Sequence, residues 1–279
     1  MKGINHLVLA GYNLEAMRSH ALGFTVMPRA QIPFGTGNSV IQLHGTYLEP
    51  LAITAPQDVA GHRPGHFSFG AFNRNYLKRH EGFSMLVLDT EDARADITAW
   101  RAAGLQTYAP IDFSRAAKMV DGQEITLSFS LAFVSHPAAP WLGLFACQHH
   151  TPAYFAQPRY LQHANGATAI QDVWIVGETA PDLAGFMQTV TGAEAISEDP
   201  SVTVLQTRIG AIVLARPVAF ASAFGLTAPH QDDGPHLAAL TVACQTMGQL
   251  ADLPKVGDRH VLAPEKNFGT AIGFVTTKR

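Results

Sequence analysis

The feature that most constrains the fold of this chain is an internal repeat. A strand-like apolar run is followed by an amphipathic helical pattern that stops at a glycine. The pattern occurs three times, with stops at Gly23, Gly104 and Gly192. Counted from His6, Met85 and Asp172 within the strand runs, the stops follow after 17, 19 and 20 positions. A fourth, degenerate copy fits HLAALTVAC and the closing runs DRHVL and FGTAIGFV.

Each helical pattern is followed by β-rich segments, among them SVIQLHG and TYLEPLAI in the first copy. One strand, one helix and then two or three strands predict an α+β fold, in which a helix covers one face of each curved sheet. The other face is left to form a concavity. The segment 55–80 is interpreted as a loop between the first two copies.

Length and breaker residues predict two halves. A chain of 279 residues fits one large domain or two ordinary ones. Pro152, Pro158, Asn165 and Gly166 mark a linker without periodicity. We therefore expect an N-terminal pair of modules over 1–150, a linker over 151–168 and a C-terminal pair over 169–279.

Composition limits the partners and the compartment. Hydrophobic residues make up 47% and charged residues 15%, and the formal charge is −3, without a basic stripe. These values predict a globular protein that binds neither nucleic acid nor a membrane. The N-terminal run is too short and polar for a signal peptide, and two distant cysteines, Cys147 and Cys244, do not form a disulfide framework. The expected location is the cytoplasm.

Several segments resemble the glyoxalase-like division of the vicinal-oxygen-chelate superfamily. They are INHLVLAGYNLEAM, LGFTV, the GTGN run at 35–38, YLEPLAI, CQHHTP at 147–152 and HANGA at 163–167. The resemblance covers roughly residues 3–170 and is architectural beyond that. It implies four tandem βαβββ modules, the last degenerate, paired into two cup-shaped mixed sheets with helices on the outer faces. It also implies a divalent metal held by a first-strand histidine and a last-strand glutamate, which polarises vicinal oxygens of a substrate.

In this sequence His6 and Glu49 fall at the two positions that the resemblance assigns to the metal. A histidine and a carboxylate suit Zn, Mn or Fe, but a catalytic site normally takes three protein ligands. His149 is the candidate for the third ligand. Glu49 is also the candidate catalytic base, and a protein without metal is equally compatible with the sequence.

The second module supplies fewer ligands. Met85 aligns with His6, and either Gly143 or Phe145 aligns with Glu49, depending on a two-residue register shift. Because side chains alternate along a strand, Phe145, Cys147 and His149 share one face. The expected substrate-binding residues are Asn38, Met85, Phe145 and Cys147. In the C-terminal half, Asp172 falls at the His6 position and Leu214 near the Glu49 position, so that half is interpreted as structural.

Each of these residues also has a structural interpretation. A histidine in an apolar strand is commonly a hydrogen-bonded core residue, Glu49 can meet an arginine, and Cys147 can be a small buried hydrophobe. Three functions therefore remain open. They are a metal-dependent lyase, isomerase or dioxygenase acting on vicinal oxygens, a metal-free small-molecule binding protein of the bleomycin-resistance type, and a partner-binding protein with a vestigial cup. Both a monomer and a homodimer are compatible with four modules.

Overall fold

A computed structural model describes residues 1–20, 22–118, 122–154 and 157–277. The first module contains, in chain order, β1 (Ile4–Ala10), α1 (Leu14–Ser19), β2 (Ala30–Ile32), β3 (Thr36–Asn38), β4 (Ile41–Leu43) and β5 (Thr46–Ile53). Strands β3 and β4 both pair antiparallel with β5, so they act as one interrupted strand and the module is βαβββ. α2 (Phe69–Tyr76) lies within the segment 55–80, so the prediction of a loop is wrong at these residues.

The second module has the same order of elements. It contains β6 (Gly82–Asp89), α3 (Ala93–Ala102), β7 (Gln106–Thr107), β8 (Ile111–Lys118), β9 (Glu124–Ser135) and β10 (Gly143–His149). The Asp92 carboxylate caps the N-terminus of α3 by accepting hydrogen bonds from the backbone N–H groups of Arg94 and Ala95. Such a cap satisfies helix N–H groups that otherwise lack partners.

The third module contains β11 (Ala167–Val176), α4 (Ala184–Thr191), β12 (Ala195–Asp199), β13 (Val202–Gln206) and β14 (Ala211–Ala215), and α5 (Pro217–Phe224) follows it. The fourth contains β15 (His236–Cys244), β16 (Lys255–Val256), β17 (Arg259–Leu262) and β18 (Ala271–Thr276). A short 3-10 helix, Gly248–Asp252, takes the place of the module helix in this degenerate copy. The remaining 3-10 turns are Pro56–Asp58, Pro152–Tyr154, Pro158–Tyr160, Ala180–Leu183, Gln231–Asp233 and Pro264–Lys266. No described helix is long and apolar enough to span a bilayer.

The three predicted glycine stops occupy the left-handed region of backbone space. Gly23, Gly104 and Gly192 have φ angles of 83°, 80° and 69°. Gly192 is the C-cap of α4, and its N–H donates to the carbonyl of Gln188. Glycine adopts this conformation without the steric cost of a Cβ atom, so the chain can turn at the end of α4, just after the C-cap of α3 and three residues after the C-cap of α1.

The modules pair into two curled sheets. The first sheet has the order β2-β3-β5-β1-β6-β10-β9-β7, with β4 beside β5 and β8 beside β9, and the second has the order β12-β13-β14-β11-β15-β18-β17-β16. In each sheet the first strands of two modules meet antiparallel, β1 with β6 and β11 with β15. The predicted α+β fold of four paired βαβββ modules is confirmed.

The convex faces of the two sheets share one core. Leu7 and Leu86 of the first sheet belong to the same buried cluster as Val173 and Leu240 of the second. Residues of α1, α3 and α4, such as Met17, Trp100 and Met187, are part of this cluster. The two concave faces therefore point away from each other, and each has a smaller core of its own.

Each concave face holds a helix that the repeat does not predict. In the first cup, Phe69 and Phe72 of α2 pack among the inward residues of β6 and β10. Asn73 fixes this helix, because its amide donates to the Phe69 carbonyl and its Oδ1 accepts from the Ser84 hydroxyl at 2.7 Å. One end of the first cup is therefore closed by a helix tied to the sheet.

In the second cup, Phe220 and Phe224 of α5 are fully buried and stack with ring centroids 4.8 Å apart. Both rings lie edge-on to Trp174. Burying one such side chain contributes roughly 1.5–3 kcal/mol. The concavity of the C-terminal half is thus occupied by the chain itself.

Candidate functional site

His6 and Glu49 meet on the concave face of the first sheet. β1 and β5 are parallel, with His6 beside Tyr47 and Val8 beside Glu49. His6 and Glu49 are only 3% and 6% exposed, and His6 Nε2 lies 3.2 Å from Glu49 Oε2. An imidazole and a carboxylate at this distance can share a proton or bind one cation.

The orientation of the His6 ring is fixed from two sides. Its Nδ1 lies 2.7 Å from the Asn5 side-chain oxygen, and the ring stacks on Tyr47 with centroids 4.2 Å apart. An amide oxygen only accepts, so Nδ1 carries the hydrogen and, in the neutral ring, Nε2 presents its lone pair to Glu49. Burial lowers the pKa of His6, outweighing the opposing effect of Glu49, and so favours this neutral ring. The lone pair and the carboxylate then face each other with no hydrogen between them.

Asn38 holds the other oxygen of the carboxylate. Its Nδ2 donates to Glu49 Oε1 at 2.5 Å. Its own Oδ1 is buried and, among the described residues, has no hydrogen-bond partner. A buried acceptor without a donor is costly, so the Asn38 carbonyl marks a position where a ligand donor would be favourable.

These groups line a cavity of about 50 Å³ inside the first cup. Its walls are mainly aromatic and include Phe34, Phe69, Phe113, Phe129 and Phe145. Arg115 of β8 also lines it, and the sequence interpretation missed this residue. The signal that could have found it is the alternation of IDFSRAAK, in which positions 111, 113, 115 and 117 share one face.

The expected residues of the second module lie in three places: in the cavity lining, under α2 and, for His149, at the end of β10. Phe145 and Cys147 line the cavity together with Asn38. Met85 is fully buried and lies within 3.9 Å of the Asn73 amide nitrogen, under α2 and outside the cavity lining. Burial raises the pKa of the Cys147 thiol, so this residue stays protonated at neutral pH.

His149 lies at the end of β10, with its ring edge-on to Phe129 at 4.8 Å. Burial lowers its pKa to about 4, with smaller contributions from the nearby His6, Arg115 and His150. Its side chain lines an adjoining cleft rather than the cavity. Among the described residues, no group of three or more His, Cys, Asp and Glu side chains lies close enough together to hold a metal ion.

The strand register resolves which residue corresponds to Glu49 in the second module. Glu49 lies beside Val8, two positions after His6, and Phe145 lies beside Val87, two positions after Met85. The equivalent residue is therefore Phe145 and not Gly143.

The adjoining cleft has a volume of about 1170 Å³ and opens at the end of the cup opposite α2. Tyr47 and Cys147 line both the cleft and the cavity, so they form the wall between them. The C-terminal half contributes Arg208 and Ile209 to this cleft. A cleft of this size is in the range that accommodates small molecules.

The second cup has a different polar group at the corresponding place. Asp172 accepts a hydrogen bond from Trp174 Nε1 at 2.7 Å and lies 3.8 Å from Arg259 Nη2. Because Trp174 lies beside Val213, it is Val213 rather than Leu214 that occupies the position of Glu49. Asp172 is thus bonded to its own cup wall, beneath the rings of α5.

The paired βαβββ modules are the arrangement that the resemblance to the vicinal-oxygen-chelate superfamily implies. Residues 4–191 match the model of the glyoxalase-like domain family, and the chain belongs to that family. No match to the sequence is found among curated proteins.

Several solved structures are similar to this chain at low sequence identity. A hypothetical protein from Staphylococcus aureus is 11% identical and aligns with a TM-score of 0.75 over 99% of this chain and 100% of that chain. A xylose isomerase-like TIM barrel/4-hydroxyphenylpyruvate dioxygenase fusion protein is 13% identical, with a TM-score of 0.54 over 89% of this chain and 37% of that chain. Methylmalonyl-CoA epimerase from Mycobacterium tuberculosis is 14% identical, with a TM-score of 0.38 over 55% of this chain and 92% of that chain. At these identities the likeness of the first two structures concerns the fold alone, and the third supports no conclusion.

Proposed function

We propose that this protein is an enzyme acting on a small molecule with adjacent oxygen functions, and that His6 and Glu49 hold a divalent Zn, Mn or Fe ion. The observation that carries the proposal is the 3.2 Å approach of Nε2 and Oε2, with Nδ1 of the same ring bonded to Asn5. A metal-binding histidine characteristically donates its other N–H to an oxygen in this way.

Two of the protein ligands that such a metal site needs are present in the first cup. His6 and Glu49 would be the ligands, Asn5 fixes the ring, and Asn38 fixes the carboxylate. When bound, a divalent ion supplies Lewis-acid polarisation of the substrate oxygens, which suits lyase, isomerase and dioxygenase chemistry. The aromatic walls leave room for little water and so strengthen electrostatic interactions within the cup. In a metal-free cup, Glu49 would instead be the carboxylate that accepts a proton from the substrate.

The metal content of protein purified without chelator tests this proposal. We expect about one ion per chain in the wild type, and its loss in His6→Ala and in Glu49→Gln. Asp172→Asn is the matched control, because Asp172 occupies the corresponding position of the filled cup and its Oδ1 still accepts from Trp174. Circular dichroism checks that each variant is folded. Metal retained by both site variants would contradict the assignment.

A second function is supported by a specific observation. Because no third His, Cys, Asp or Glu joins His6 and Glu49 within the described residues, a metal-free small-molecule binding protein also fits the cup. A wild-type protein that contains no metal and does not take up Zn²⁺ or Mn²⁺ in titration would favour this function.

A further inference from the structure

We infer that the first cup binds a small aromatic carboxylate, with the Arg115 guanidinium as the group that binds its carboxylate. The inference rests on the proposed function only in taking the His6 and Glu49 pair as the reacting end of the cup.

Arg115 is an inward-facing cation on an edge strand. Its neighbours on the same face of β8, Phe113 and Ala117, pack against the smaller core inside the first cup. The residues on the opposite face, Ser114 and Ala116, are exposed. Arg115 lines the same cavity as Tyr47 of β5 and Phe145 of β10. The guanidinium therefore lies near the wall formed by these two strands.

Within the part of the chain that the structure describes, no carboxylate is ion-paired with Arg115. Other arginines do have such partners, for example Arg94 with Asp112 and Arg208 with Asp89. Glu49 lines the same cavity, but its oxygens contact Asn38 and His6 instead. A half-buried guanidinium beside apolar walls favours a bound anion, and its planar fork matches a carboxylate.

The walls between Arg115 and the His6–Glu49 pair suit a flat ring. Phe34 lies edge-on to Phe113 at 5.1 Å, and Phe129 stacks on Phe113 at 4.9 Å. Phe145 lies edge-on to His6 at 5.9 Å. Offset and edge-on contacts of this kind stabilise an aromatic ligand beyond its buried area.

The cavity also offers an acceptor at its deep end. The buried Asn38 Oδ1 lacks a donor among the described residues, and it lies on the side chain that holds Glu49. A hydroxyl on the ring would satisfy this oxygen. The expected ligand class is accordingly a benzoate-like carboxylate with a further oxygen on or next to the ring.

A ring does not fit the cavity without a local movement. The present volume of about 50 Å³ holds one or a few water molecules. Because α2 is tied to β6 through Asn73 and Ser84, the opening must occur at Tyr47, beside the cleft, or at the contact between Phe34 and Phe113.

The test compares benzoate with benzamide, which has nearly the same shape and no charge, by isothermal titration calorimetry on protein as purified. We expect the wild type to bind benzoate about tenfold more tightly or better, as a charge-assisted hydrogen bond provides. Arg115→Gln should abolish this preference while benzamide binding persists, and Arg115→Lys should retain part of it. Arg94→Gln, which removes an exposed arginine next to the same strand, should change neither affinity.

Failure of this inference can be distinguished from failure of the proposed metal site. The preference for benzoate should persist after the protein is dialysed against a chelator, and the metal content of Arg115→Gln should equal that of the wild type. An Arg115-dependent preference in a metal-free protein would support this inference and remove the proposed function. Metal at His6 and Glu49 without any preference for benzoate, or a preference that survives Arg115→Gln, would overturn the inference.

Discussion

His6 and Glu49 lie on adjacent parallel strands and are offset by two positions in register, which brings Nε2 and Oε2 to 3.2 Å. Asn5 is bonded to the opposite nitrogen of the ring. The imidazole is thus held between an acceptor outside the cup and a carboxylate inside it.

Asn5→Ala should weaken metal binding without removing a ligand. Loss of the acceptor frees the His6 ring, and removing such an outer partner typically lowers metal affinity by about 10–100-fold. Competition with a chromogenic chelator measures the change. Asn5→Asp keeps an acceptor oxygen and should retain the affinity, whereas equal losses in both variants would contradict a positioning role.

Asn38→Ala should destabilise the fold. The variant leaves Glu49 Oε1 buried without its donor, and an unsatisfied buried polar group costs about 1–3 kcal/mol. Urea denaturation measures this loss. In an Asn38→Ala/Glu49→Gln double variant part of the loss should be recovered, because a neutral amide is less costly to bury than a carboxylate. Additive losses would show that the two side chains are not coupled.

Gly143→Ala should also be destabilising, because a Cβ atom there would overlap Met85 Cγ and lie 3.0 Å from the Ser84 carbonyl oxygen. Overpacking of this kind costs about 1–3 kcal/mol. The matched control is Gly185→Ala in the exposed part of α4, where no atom lies within 4 Å and the helix gains propensity. Thermal unfolding should move in opposite directions for the two variants, and a neutral Gly143→Ala would refute the close contact.

Phe220→Ala should reduce stability by about 3–5 kcal/mol, since it opens a cavity in the filled cup. Val218→Ala on the same helix is the control, because Val218 is 69% exposed and surface changes are usually within about 0.5 kcal/mol. If Phe220→Ala leaves the stability unchanged, the Phe220 ring does not fill the second cup, and that cup would instead have room for a ligand.

Stability should fall between about pH 6.5 and pH 4, in part through His230. This residue stacks on His80 at 3.4 Å and faces Asp233, His236 and the Gly269 carbonyl. Burial, followed by the charges of His80 and His236, lowers the His230 pKa from 6.5 to about 4. The unfolded chain therefore binds this proton at higher pH than the folded protein does, and stability is lost as pH falls through that window.

His230→Asn should make the acid-side decline in melting temperature shallower. Asparagine is chosen because His230 has a φ of 50°, which asparagine tolerates better than most residues. His62→Asn, at an exposed histidine, is the control. Equal slopes in the wild type and His230→Asn would remove His230 from the explanation.

The repeat in the sequence was sufficient for the module order, because strand and helix periods and the glycine stops are local signals. It did not reveal α2 or α5, since FGAFNRNY and PVAFASAF are short runs rich in aromatic and small residues whose burial depends on the sheet that they face. Only the folded register decided between Gly143 and Phe145, because a two-residue shift keeps the same face.

The resemblance supplied the positions of His6 and Glu49, and the structure brings these two side chains together, while their role stays a prediction. Arg115 and Asn5 were not found, because a cation on an edge strand and a polar residue before a histidine are common in sequences. Their importance depends on what lies opposite them, which is a tertiary property.

The shared core between the two sheets has a consequence for unfolding. Since Leu7 and Leu86 are covered by the same cluster as Val173 and Leu240, neither half can open without exposing apolar surface of the other. The halves should therefore melt in a single cooperative transition. A destabilising substitution at Phe220 would then also destabilise the folded state that holds His6 and Glu49 together. This coupling acts through the shared core, because no residue of α5 lines the cavity of the first cup.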